Sequence, residues 1–245
     1  SCIAFITLFT ANAQDVFVAA GKIEFEKKFN MYKEMDTWNE DGEDDWINQM
    51  KKSIPQYDIT YFNLYFDNNK TMYKPGKEVV KPPGTPDWFL GPATDNIIFS
   101  DYAAATSVAS KNIFENTFLI QDSIRHFNWR ITPEIRTIAG FECHKATTII
   151  MDSIYIIAFY TDQILTSGGP ESFGGLPGMI LGLVVPRIST TWFATKLELV
   201  TVKPEDFTLP KKGKKTDEEG LMKTLQTSLR DWGKYGQRNI WKIML

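Results

Sequence analysis

The chain holds two histidines, His126 and His144, and two cysteines, Cys2 and Cys143, so imidazole or thiol chemistry has few places to occur. Cys143 and His144 are neighbours, and on an extended strand neighbouring side chains point to opposite faces, so the two do not form a dyad or share an ion. A nucleophilic pair would need His126 carried to Cys143 from an adjacent strand. Zinc needs three or four converging Cys, His or carboxylate ligands, and no paired spacing supplies them. Asp41, Glu43, Asp44 and Asp45 cluster, but the segment lacks the glycine and the closing glutamate of a calcium loop, and it reads as a solvated acidic face. Neither a metal nor a cofactor is expected.

The most distinctive stretch is Gly168–Gly182, with six glycines in fifteen positions and Pro170 and Pro177 between them. Glycine supplies backbone geometry closed to other residues and proline fixes φ, so the segment should hold one conformation. Ser172 is not a nucleophile elbow, because Pro170 stands where Gly-x-Ser-x-Gly needs its first glycine. Nor is there a phosphate loop: Gly175 and Leu176 follow Gly174 where lysine and Ser or Thr are required. The cluster reads as a turn that packs against a sheet. Gly169, Pro170, Phe173, Gly175, Leu176, Pro177 and Gly178, together with Cys143 and Trp129, are the motif and candidate binding positions, and none is assigned a catalytic role.

Elsewhere along the chain, period-two alternation predicts a strand over Gly21–Phe29, with Ile23 and Phe25 on one face and Glu24 and Glu26 on the other. Trp46, Ile47, Met50 and Ile54 recur at helical spacing and stop at Pro55, which predicts a short helix lying on the sheet. Tyr57–Phe66 and Thr71–Tyr73 flank the turn Asp67-Asn68-Asn69 as a hairpin. Pro75–Asn96, with five prolines and the apolar Trp88 and Phe89, reads as a long loop. Strands are then expected at Asn112–Gln121, Ile124–Ile131, Arg136–Ile150, Ser153–Thr161, Met179–Val185 and Thr190–Val202, with turns at Gln121-Asp122, Met151-Asp152 and Pro186–Ser189. After Pro204 the basic run Lys211–Lys215 leads to Asp217–Lys234, where Leu221, Leu225, Leu229 and Trp232 mark one amphipathic helix. The fold class expected is mainly β: an antiparallel, curved meander sheet, open or half-barrel, with a short helix in the N-terminal half and a C-terminal amphipathic helix.

The apolar run Ile3–Phe9 followed by Ala11-Asn12-Ala13 reads as the remnant of a secretory signal over residues 1–13, cleaved before Gln14. Residues 14–245 then form a single β-rich domain. Cys2 precedes the apolar run, which argues against lipid attachment, and Cys143 remains as a lone thiol expected to be buried. The longest later apolar stretch, Met179–Val185, is far short of the roughly 20 residues that span a bilayer. A formal charge of −3 provides no basic surplus for nucleic acid. Trp, Tyr and Phe number 7, 9 and 17, and most of those on strands, such as Tyr61, Tyr65, Trp129, Tyr155, Phe159, Trp192 and Phe193, are expected in the core; any left bare on a concave sheet would line a groove for lipid or peptide.

Gly175-Leu176-Pro177-Gly178-Met179-Ile180, preceded by Gly169-Pro170-Glu171-Ser172-Phe173, resembles the signature of the GLPGLI family of exported proteins from Bacteroidota. Trp129-Arg130-Ile131, Ile138–Ala146 and Phe159-Tyr160-Thr161 are similar to the same family, so the resemblance spans 129–183. Met179 stands where the family has leucine, and Phe159 where it often has tryptophan. The resemblance brings no catalytic residues. It implies a periplasmic or cell-envelope protein, with an outer-membrane TonB-dependent receptor as the suggested partner; the apolar ligand or peptide is suggested by the aromatic residues alone. The reading is a non-enzymatic binding or accessory protein; the alternatives are a cysteine- or metal-dependent envelope enzyme centred on Cys143, and a purely structural interaction protein.

Overall fold

The computed structural model describes residues 17–38, 45–80 and 87–245, with the backbone alone at 87 and 88. The signal remnant and the acidic residues 41, 43 and 44 lie outside the described residues, as does the Trp88 side chain.

One twelve-stranded sheet carries the chain. Its strands are β1 (Ala20–Asn30), β2 (Tyr57–Asp67), β3 (Lys70–Pro75), β4 (Ile97–Asp101), β5 (Thr106–Ile113), β6 (Asn116–Ser123), β7 (Arg130–Ile138), β8 (Phe141–Ile150), β9 (Ile154–Thr161), β10 (Met179–Val185), β11 (Thr190–Glu198) and β12 (Lys214–Thr216). Their order across the sheet is β12-β6-β5-β4-β3-β2-β1-β11-β10-β9-β8-β7. Every pairing is antiparallel except that of β12 with β6. Helices α1 (Met31–Asp36), α2 (Asp45–Ser53), α3 (Asp87–Leu90), α4 (Glu218–Ser228) and α5 (Gly233–Ile243) complete the fold.

The sheet is open at its edges but strongly curled. The Arg136 guanidinium of β7 lies 4.9 Å from the ring centre of Phe193 on β11, four strands away. In a flat sheet that separation would be roughly 19 Å, at about 4.8 Å per strand. The β7–β8 end therefore rolls over one face of β9–β11, where a Cβ on Gly182 would already meet Phe193 and Ile138. This makes β10 buried on both faces, and it reads as a near-continuous apolar run for that reason.

The opposite, inward face is built by alternation. On β1 Ile23, Phe25 and Phe29 are buried, and on β2 Phe62, Leu64 and Phe66 are. The loop between β9 and β10 crosses this face: Thr166 Oγ1 donates to the Asn68 carbonyl in the β2–β3 turn at 2.5 Å, and Gly174 sits against Tyr102 beyond β4. The chain end packs beside it through Leu221, Leu225, Leu229, Ile240 and Ile243. A smaller apolar cluster of Phe29, Met31, Met35, Ile47, Ile54 and Phe89 seats α1, α2 and α3 at the end of β1. Asn30 caps α1, its Oδ1 accepting from Lys33 N at 3.0 Å.

Several sequence expectations change. Residues 124–129 form no strand, and the expected strand Arg136–Ile150 is two strands joined by the turn Ala139-Gly140, both at positive φ. The expected strand Asn112–Gln121 is the end of β5, a turn at Phe114-Glu115, and β6, which runs on through Gln121-Asp122. Strand β4, most of β5, helix α1 and the parallel edge β12 carried no expectation, and the long loop contains α3 with a buried Phe89. Trp46 is exposed, off the buried stripe of α2, and the tail helix is two helices broken at Leu229–Trp232.

Candidate functional site

On β1 the inward set runs Ile23, Phe25, Lys27, Phe29: a lysine stands where the pattern calls for an apolar residue. Register places Lys27 opposite Thr60 of β2 and Trp192 of β11, so the three lie side by side across the middle of the sheet. The ammonium is held over two rings, 5.2 Å from the centre of Trp192 and 5.4 Å from that of Phe62. Its counter-charge comes from the glycine-rich loop: Lys27 Nζ is 3.4 Å from Glu171 Oε1. Glu171 Oε2 accepts from Asn96 Nδ2 at 2.8 Å. The Glu171 side chain is 2% exposed, and its φ of +55° is a left-handed conformation that a non-glycine residue adopts only when its surroundings hold it there.

Here the sheet, the loop and α5 leave a cavity of about 380 Å³. Lys27, Phe29, Phe62, Glu171, Trp192, Lys242 and Leu245 line its inner part; Tyr57, Lys77, Glu78, Val79 and Val80 form an exposed rim, with Tyr61, Leu90 and Pro92 also in the wall. Its walls are largely apolar with a few convergent polar groups, the composition of small-ligand sites, which run from about 300 to 1,000 Å³. Behind it, burial pushes the Tyr73 phenol well above its usual range, and the nearby Glu171 charge acts in the same direction. Tyr73 stacks on Phe62 at 4.7 Å.

A second buried carboxylate adjoins the cavity. Glu34 of α1 accepts from Arg238 Nη2, from Arg238 Nε at 3.3 Å, and from Lys242 Nζ at 2.9 Å. Burial lowers the Lys242 pKa, while Glu34 pulls it back up. The Lys242 ammonium lies 4.6 Å from the Phe29 ring centre. A third polar cluster ties the loop to the chain end: Ser172 Oγ donates to the Leu245 carbonyl at 2.6 Å, and Arg125 Nη1 donates to the Met244 carbonyl at 2.6 Å. Lys111 donates to the Ile243 carbonyl at 2.7 Å, and burial pulls its pKa down to about 8.

None of the nine positions singled out from sequence lines the cavity. The loop's contribution is Glu171. Gly178, at φ +136°, leaves no room for a Cβ beside the Thr161 carbonyl, and a Cβ on Gly169 would come within 2.7 Å of Ile180. Pro170 opens a turn closed by Phe173 N on its carbonyl at 3.3 Å, and the Phe173 ring stacks on Phe127 at 5.0 Å. Ser167 Oγ donates to the Leu176 carbonyl and accepts from Gly175 N, while Pro177 is exposed. Trp129 Nε1 donates to the Gly174 carbonyl at 2.9 Å. These residues shape the loop that delivers Glu171. Cys143 is fully buried on the curled β8 end, where its thiol donates to the Phe141 carbonyl at 3.5 Å and burial raises its pKa to about 12. His144 faces Tyr160 instead, with ring centres 5.8 Å apart. Among the described residues no three His, Cys, Asp or Glu side chains group to hold a metal, and no helix is long and apolar enough to cross a membrane.

The molecule is thus a curled antiparallel β domain with a single-face cavity closed by a glycine-rich loop and a C-terminal helix. Residues 94–220 match the family described as "N-glycanase peptide, N-terminal domain", and the chain belongs to that family. Two solved structures share its fold. "Structure of PNGF-II in C2 space group" superposes with a TM-score of 0.52 at 15% identity, covering 91% of this chain and 33% of that one. "Structure of PNGF-II in P21 space group" has the same score and identity over 82% of this chain and 32% of its own. The chain therefore spans about a third of the length of those proteins. No curated protein matches the sequence.

Proposed function

We propose that this chain is a non-enzymatic binding or accessory domain of the cell envelope, and that the cavity at Lys27 and Glu171 is its ligand site. The observation that carries this reading is a buried, strained carboxylate on a rigid loop, paired with the one charged residue of an apolar strand face, both on the wall of a ligand-sized space. Membership of a family named for the N-terminal domain of an N-glycanase supports an accessory role, in which a longer protein's chemistry lies elsewhere. The resemblance to exported GLPGLI proteins supports the envelope location, and with it a TonB-dependent receptor as partner; the aromatic lining of the cavity supports an apolar ligand or peptide as cargo. The raised pKa and full burial of Cys143 count against the alternative of a cysteine-centred enzyme.

The test is extraction of the purified chain followed by mass spectrometry, beside the variant Thr60→Trp, which puts a large ring into the space next to Lys27. The expected result is an apolar compound or peptide released from the wild type and absent from the variant. An identical, empty extract from both, with no bound species in native mass spectra, would refute the reading.

A further inference from the structure

We infer that the ligand is a single-chain amphiphile with one negative charge, its head group at Lys27 and Lys242 and its tail along the aromatic wall. The inference rests on the cavity being the ligand site and adds the ligand's charge and shape.

Lys27 and Lys242 both line the cavity, and their side chains are 16% and 12% exposed; their partner carboxylates, Glu171 and Glu34, are each 2% exposed. Both acids are already engaged, Glu171, itself on the wall, by Asn96 and Lys27, and Glu34 by Arg238 and Lys242. An ammonium has three donors, and among the described residues each lysine spends one on its carboxylate, so both keep donors for a further acceptor. Counted together with Arg238, these ion pairs comprise three cations and two carboxylates, and one added anion brings them to balance. The repulsion between Lys27 and Lys242 helps lower the Lys242 pKa, and a bound anion relieves it.

Asp58, half-buried on β2 opposite Phe29, is itself engaged. Glu78 and Asp95 are exposed and line the rim with Lys77, where water and salt screen them. They disfavour an anion at the mouth and so favour a head group drawn inward, with the uncharged tail left against the wall. The volume equals about a dozen waters at about 30 Å³ each, suited to one chain rather than a two-tailed lipid.

The test titrates the full chain with dodecanoate, dodecanol and dodecyltrimethylammonium, following tryptophan fluorescence and heat. Dodecanoate is expected to bind about tenfold more tightly than dodecanol, and the cation more weakly still. Lys242→Gln, which leaves Glu34 paired with Arg238, should erase the margin of dodecanoate over dodecanol. Should that variant fail to fold, Lys27→Gln/Glu171→Gln removes the charges as a pair and should also abolish the margin. Equal affinity for all three probes, preference for the cation, or no binding of dodecanoate would overturn the charge assignment. Probes that bind Thr60→Trp as tightly as wild type would overturn the cavity itself, and with it the reading on which this inference rests.

Discussion

Lys27 Nζ stands 3.4 Å from Glu171 Oε1, joining residues 144 positions apart across the inward face of the sheet. One partner replaces an apolar residue in a strand pattern and the other sits on a left-handed backbone, so each would be unfavourable without the other. Glu171→Gln should cost about 1–3 kcal/mol of stability, because it leaves a mostly buried ammonium without its counter-charge. In a urea denaturation cycle, Lys27→Met combined with Glu171→Gln should cost less than the sum of the single changes. Additive losses would show that the two groups are not coupled.

Two glycines separate space from conformation. Gly178 combines φ +136° with a backbone carbonyl where a Cβ would sit, whereas Gly140, at φ +87°, has nothing within 4 Å. Gly178→Ala should therefore be the more damaging, destabilising by about 3 kcal/mol or more, against about 1–2 kcal/mol for Gly140→Ala. Denaturant midpoints measured side by side decide it, and a reversed order would mean that the loop relaxes around the added methyl group without strain.

Stability should rise with pH in the alkaline range. The folded pKa of Lys111 is about 8, below the unfolded value of 10.5, so between these values the unfolded chain binds more protons than the folded one and deprotonation favours folding. Lys242, also lowered by burial, adds in the same direction. Thermal melts between pH 7 and pH 10 should show this gain, and Lys111→Met should reduce it; an unchanged profile in that variant would remove Lys111 as a source.

The thiol of Cys143 should be inert to a disulfide reagent at mildly alkaline pH and react fully once the chain is unfolded. Its burial and its pKa of about 12 leave almost no thiolate. Rapid modification of the native protein would contradict the placement.

How far the sequence could be read depended on whether its signals were local. Met179–Val185 emerges with the expected bounds, because a seven-residue apolar run after a Gly/Pro turn has few other uses. The inward position of Lys27 was also legible, since period-two alternation through Ile23 and Phe25 carries to it directly. Fifteen residues were too many for the single strand expected at Arg136–Ile150, when most strands run 3–10, and Gly140 marked the break. Strands β4 and β5 escaped because Ile97–Ile113 is short, rich in Ser and Ala, and turned at Ala103–Ala105 without glycine or proline. β12, three residues of a lysine-rich run, is a strand only because β6 offers it an edge.

The sequence by itself determined an antiparallel β domain, a rigid glycine-rich corner and an amphipathic C-terminal segment, since alternation, turn chemistry and helical spacing act over a few residues. It did not determine the site. Glu171 meets Lys27, and Glu34 meets Lys242, only because the sheet curls and the loop and α5 are folded onto one face of it. Such meetings are set by the packing of distant elements, for which no short-range pattern exists. Tertiary structure therefore decided which charges were buried together, and beside them it left the space that a ligand would enter.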